Sequence, residues 1–151
     1  MTLETEVKSL SQIPMFRGIE PARLKLLAFT SERIRFKPNQ PFFRQGDMAD
    51  AAYLVLEGKA DVMLNAKTGT IKLAELGRNA LVGEMAILSG TPRSATVIAT
   101  EPTTALRIDR RVFLELLTQF PPMAIAVMRE LAHRLEATNA QLLARSSGNA
   151  H

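Results

Sequence analysis

Three patterns of apolar and polar positions follow one another along the chain. Up to about residue 30 the spacing is helical. Leu24, Leu27 and Ala28 share one face of a helix whose first turn tolerates Pro21. Ahead of it, IPMFRGI (13–19) sets proline and glycine around Met15 and Phe16, which predicts a short apolar plug between two helices.

From about 31 to 109 the period changes to two. Glycines at 46, 58, 69, 77, 83 and 90 punctuate short apolar runs, predicting an antiparallel sandwich or barrel. Ala60, Val62 and Leu64 alternate with Asp61 and Met63; Thr104, Leu106 and Ile108 alternate with Ala105, Arg107 and Asp109. YLVL (53–56) is apolar on both faces, as in a strand buried on both sides, and LEGK (56–59) predicts a hairpin turn. Helical spacing then returns. Asp109 is an N-cap for RRVFLELLTQF, Pro121-Pro122 ends that helix, and Pro122 opens a last one to about 145, roughly 36 Å long. Residues 146–151, SSGNAH, read as a disordered tail.

A length of 151 residues suits one domain built from these parts: 1–30 helical, 31–109 β, 110–145 helical. The net charge of +4 mildly favours anionic partners, with no run of like charges to suggest a nucleic-acid tail or a polybasic membrane patch. The absence of cysteine excludes disulfides, thiolate metal sites and cysteine nucleophiles. Two histidines are too few for an imidazole metal centre inside a barrel, so no metal or cofactor is expected. The N-terminus, MTLETEVKSL, lacks the basic start of a signal peptide, and the apolar runs are short; a cytoplasmic protein without membrane contact is expected.

One segment within the β region has helix-forming residues, Glu84 to Ser89. Gly83 before it permits close approach of a ligand or backbone. After Gly90, the turn Thr91-Pro92 brings the chain back, so that Arg93 returns toward the start of the short helix. An arginine there offers a fork for phosphate and Ser94 adds a hydroxyl. Glu84 cannot face the same anion, but it can accept hydrogen bonds from sugar hydroxyls. A nucleotide with one phosphate charge and a free ribose hydroxyl meets all three demands. The plainer readings are a carboxylate complementing a helix dipole and a solvated arginine; finding Glu84 with Arg93-Ser94 in register favours the ligand.

GEMAILSGTPRSAT resembles, without a gap, the phosphate-binding cassette (83–96) of the cyclic-nucleotide-binding domain family. PMFRGI, FFRQGDMADAAYLVLEGKADV and the final helix resemble it as well. One departure is Asn39-Gln40 where many members have Gly-Glu; Asn suits the same turn. The resemblance implies a mainly β fold, a β-jelly-roll (double-stranded β-helix) barrel with N-terminal helices and two C-terminal helices, the last one long, as a stand-alone bacterial-type module. It implies that Glu84 and the Gly83 backbone hold the ribose 2′-hydroxyl. Arg93 and Ser94 would hold the cyclic phosphate, helped by the Ala86 N–H, with Met85 and Ala95 also lining the site. Arg134 would lie near the sugar and Glu84, Thr138 at the base, and Asn139 would reach across from a partner subunit.

The expected function is therefore cyclic-nucleotide sensing without catalysis. Ser94 with Thr138 points to cAMP, with cGMP as the alternative. Ile125, Met128, Ala132, Leu135, Asn139 and Leu142 step by three and four, a coiled-coil seam that predicts a homodimer through the long helix. A second face through Val127, Leu131 and Thr138 suits packing on the barrel. The rival reading is the sensory half of a helix-turn-helix transcription factor. Residues 107–145 carry six basic and four acidic side chains without a basic stripe, so direct nucleic-acid contact by this chain is not expected. The effector protein is unspecified.

Overall fold

Thr2 caps the first helix in the computed structural model of the chain, which describes residues 2–149: its hydroxyl accepts from the Thr5 N–H at 3.2 Å. Helix α1 (Leu3–Ser11), a 3-10 turn (Pro14–Phe16) and α2 (Pro21–Thr30) form the N-terminal layer. Met15 and Phe16 are buried as a plug, and Leu24, Leu27 and Ala28 are the buried face of α2.

Eight strands follow: β1 (Glu32–Phe36), β2 (Pro41–Phe43), β3 (Ala51–Glu57), β4 (Ala60–Ala66), β5 (Gly69–Leu76), β6 (Leu81–Val82), β7 (Thr96–Ala99) and β8 (Thr103–Asp109). They make two four-stranded antiparallel sheets, one ordered β1-β8-β3-β6 and the other β2-β7-β4-β5, the two layers of a jelly roll. Between β6 and β7 lies the short helix α3 (Glu84–Ser89); α4 (Arg110–Gln119) and α5 (Pro121–Asn149) close the chain. Asn39 takes the left-handed conformation, φ 69°, that its turn requires.

Strand β3 is a shared wall. Ala52, Leu54 and Leu56 join Leu106 and Ile108 of β8 against the helices, in a core with Leu10, Phe16, Leu24 and Phe113. Ala51, Tyr53 and Val55 face the other way, with Phe36, Phe42, Val97 and Ala105 between the sheets. Ala51 to Leu56 are all buried, which accounts for a run apolar at every position.

The segment 56–59 is not a hairpin turn. Strands β3 and β4 belong to different sheets, so Gly58 turns a corner between layers. Its φ is +101°, and a Cβ there would lie 2.6 Å from the Pro102 carbonyl oxygen. The hairpin of this region is β4–β5, closed where Ala66 pairs with Gly69.

Asp109 caps α4 by accepting from the Arg111 N–H at 3.4 Å. Helix α5 begins at Pro121 and runs to Asn149, so residues 146–149 continue the helix where a disordered tail is expected from the sequence. Residues 150–151 lie outside the described part. Met123 and Val127 are buried, but from Met128 to Ala144 every described side chain is exposed. Of the face through Val127, Leu131 and Thr138, only Val127 is buried. No single helix among the described residues is long and apolar enough to cross a membrane.

Candidate functional site

The cassette is assembled by two glycines in the left-handed region. Gly83, φ 86°, lets the chain leave β6 and enter α3 within one residue; Gly90, φ 67°, ends α3 with its N–H on the Ala86 carbonyl. The turn after Phe43 then grips the backbone of Arg93 from both sides. Gly46 N–H donates to the Arg93 carbonyl at 2.8 Å, and Arg93 N–H donates to the Asp47 carbonyl at 2.8 Å. The Asp47 carboxylate holds that turn in shape by accepting from the Arg44 N–H at 3.0 Å.

So fixed, the Arg93 side chain runs inward and is 3% exposed. Its Nη1 donates to the Gly83 carbonyl at 2.5 Å and its Nη2 to the Ala51 carbonyl. The guanidinium lies over the Phe43 ring, 3.9 Å from the centroid. Burial pushes its pKa below the ordinary arginine range, with Tyr53, Asp50, Asp47 and Glu84 opposing the shift. The Nε of Arg93 is buried and has no hydrogen-bond acceptor among the described residues.

Glu84 follows Gly83 directly and is itself buried at 6% exposure. Arg134 reaches it from α5, Nη2 standing 3.5 Å from Oε1. Gly83 between β6 and α3, Glu84 on α3, Arg93 in the turn ahead of β7 and Arg134 on the last helix are thus brought together. Met85 and Ala86 are half-buried on α3, Ala95 is buried, and Ser94 is exposed beside Arg93. Thr138 and Asn139 are exposed on α5. The Thr138 hydroxyl donates to the Arg134 carbonyl at 3.0 Å, which places it one turn beyond Arg134.

Sequence reasoning missed Phe43, Asp50, Tyr53 and Arg107. Phe43 sits on β2, its tilted ring 6.1 Å from that of Tyr53. Asp50 Oδ1 lies 3.8 Å from Arg93 and Oδ2 lies 3.2 Å from Arg107. Tyr53 lines the same interior; burial and then Asp50 raise its phenol pKa, while Arg107 and Arg93 oppose that shift. The available signal was strand alternation, which puts Arg107 and Ala105 on one face of β8 without saying that this face turns inward.

Gly83 also makes room for the arginine. A Cβ at 83 would fall 2.6 Å from Arg93 Nη1 and 3.0 Å from Phe43 Cε2, at a backbone conformation that L residues rarely adopt. Gly83→Ala should cost about 1–3 kcal/mol of stability and displace Arg93. Chemical denaturation tests the first effect, and a variant as stable as the parent would contradict it.

The sequence profile of the family "Cyclic nucleotide-binding domain" matches residues 33–120. The chain belongs to this family. It is 34% identical over 130 residues to the Cyclic AMP receptor protein of Thermus thermophilus, covering 85% of this chain and 60% of that protein. The crystal structure of the Thermus thermophilus catabolite activator protein superposes with a TM-score of 0.77 at 34% identity, covering 86% of this chain and 62% of the other. The Acetyltransferase Pat of Mycolicibacterium smegmatis is 31% identical over 135 residues, 88% of this chain and 40% of the enzyme. The chain therefore spans less than two thirds of the length of these curated relatives.

Proposed function

We propose that this cyclic-nucleotide-binding domain is a cAMP sensor that acts by binding and not by catalysis. The observation that carries this reading is the Arg93 Nε, a buried donor without an acceptor among the described residues, set beside a left-handed Gly83 and a buried Glu84. Buried polar groups in folded proteins nearly always have partners, and an unmatched donor at a built site supports an acceptor supplied by a bound ligand. A phosphate is the acceptor that a guanidinium fork suits best.

In this reading Arg93 and Ser94 hold the cyclic phosphate. Glu84 accepts from the ribose 2′-hydroxyl beside the Gly83 backbone. Met85, Ala86 and Ala95 line the site, while Arg134, Thr138 and Asn139 on α5 meet the sugar and base. Because Arg134 already contacts Glu84, a ligand at Glu84 alters the hold on the distal half of α5, and a shift of that helix is the output. Ser94 and Thr138 favour cAMP over cGMP. The name of the Thermus relative, Cyclic AMP receptor protein, supports the same choice.

We further propose a homodimer through α5. Ile125, Met128, Leu135 and Leu142 are 44%, 60%, 62% and 54% exposed along one seam, which a second copy would cover. Sedimentation equilibrium at micromolar concentration should give twice the chain mass; a monomer mass would refute the dimer. Titration calorimetry with cAMP, cGMP and 5′-AMP tests the ligand. Tight binding of cAMP and none of 5′-AMP is expected, and indifference to all three overturns the sensor.

A second reading is favoured by the lengths of the relatives: this is the sensory part of a larger regulator or enzyme. The chain matches 60% of the Thermus receptor and 40% of the acetyltransferase, so one module serves different effectors. A gel shift with promoter DNA, with and without cAMP, tests whether this chain itself contacts DNA. No shift is expected under either reading, and a nucleotide-dependent shift would overturn the expectation that this chain makes no direct nucleic-acid contact.

A further inference from the structure

Alternation along β8 puts Arg107 on its polar face, and the jelly roll turns that face toward the site. Ala105, on the same face, is fully buried, and Arg107 stands opposite Tyr53 in the β3–β8 ladder. Arg107 Nη2 donates to Asp50 Oδ2 at 3.2 Å. The other oxygen, Oδ1, lies 3.8 Å from Arg93 Nη2, beyond hydrogen-bond reach. Arg93 gives that Nη2 to the carbonyl of Ala51 instead. One carboxylate therefore stands between two guanidiniums, bonded to one and held just short of the other.

We propose that Arg107 is a positioning residue for nucleotide binding: by holding Asp50 off Arg93, it keeps the Arg93 fork available to phosphate. This rests on the cyclic-nucleotide reading above. A carboxylate and a phosphate compete for the same fork. Because Arg93 is only 3% exposed, its attraction for a nearby carboxylate is less screened than at the surface. Asp50 has a side chain 66% exposed, so it is free of packing that would otherwise fix its rotamer. It also precedes Ala51, whose carbonyl Arg93 already holds, so a side-chain rotation is enough to bring the pair together. Without Arg107, Asp50 loses its bonded partner and turns to the cation 3.8 Å away.

Calorimetry with cAMP on the full chain tests this. Arg107→Ala should weaken binding about tenfold, the scale expected for directly coupled neighbours. Arg107→Lys, which keeps a donor cation, should recover most of the loss. In the Asp50→Ala background, Arg107→Ala should have almost no further effect. Wild-type affinity in Arg107→Ala, or an undiminished loss in the Asp50→Ala background, overturns the proposal. The Arg93 Nε–H resonance of the nucleotide-free protein gives a second readout that general loosening would not reproduce. It should move on Arg107→Ala and return in the double variant; an unmoved resonance refutes the coupling. Should wild type bind no cyclic nucleotide, the sensor reading fails, while that resonance still decides whether Arg107 controls Asp50.

Discussion

Arg93→Ala should lose about 1.5–3.5 decades of cAMP affinity, corresponding to about 2–5 kcal/mol, because it deletes the fork proposed to take the phosphate. The structure explains why the loss should be near the upper end. Arg93 is buried, its backbone is clamped by Gly46 and Asp47, and its side chain is aligned by Gly83, Ala51 and Phe43. Little ordering of the donor is then left for the ligand to impose. Arg93→Lys should also bind poorly, since an ammonium cannot bridge two carbonyls and a phosphate with fixed geometry. The substitution by Ala should in addition lower stability by about 1–3 kcal/mol, because it strips a donor from two carbonyls. Calorimetry and denaturation on the same samples separate the two effects. Binding as tight as wild type would remove the central assignment.

Phe113→Ala should be the most destabilising of the changes considered, at about 3–5 kcal/mol. Phe113 is wholly buried, on α4, within the core that joins the N-terminal helices to β3 and β8. Against a total of about 5–15 kcal/mol for ordinary domains, that is a large fraction. Its helix, α4, is also the base from which α5 departs, bent by 103° at the break between them. A urea midpoint unchanged from wild type would show that this core does not hold α4.

Local chemistry made much of this legible beforehand. The proline at the start of α2, the buried faces of that helix, the Asp109 cap, the extent of α3 and the left-handed Asn39 each depend on residues within a turn of one another. The family's cassette likewise reads as one uninterrupted string. What could not be read depends on pairing across the chain. A glycine corner between sheets and a hairpin use the same turn residues, so Gly58 looked like the latter. Strand alternation sorts Arg107 from Leu106 but does not say which face looks into the jelly roll. Phe43 is one of two adjacent phenylalanines, and only the fold decides that it, and not Phe42, lies against Arg93. Thr138 and Asn139 come from the family's long helix, and in this structure both side chains are exposed on α5.

A strand apolar on both sides loses nothing in hydrophobicity by sliding one residue along its neighbours, because either phase hides the same kind of side chain. For β3 the alignment must be enforced elsewhere. The Asn79–Ala80 turn seizes Val55 twice, Asn79 N–H on its carbonyl at 2.8 Å and Val55 N–H on the Ala80 carbonyl at 2.9 Å, next to the irregularity between Val55 and Glu57. That far end acts as a latch. Weakening it would let the strand creep, and the first atom carried out of place at the near end would be the Ala51 oxygen on which the buried arginine rests.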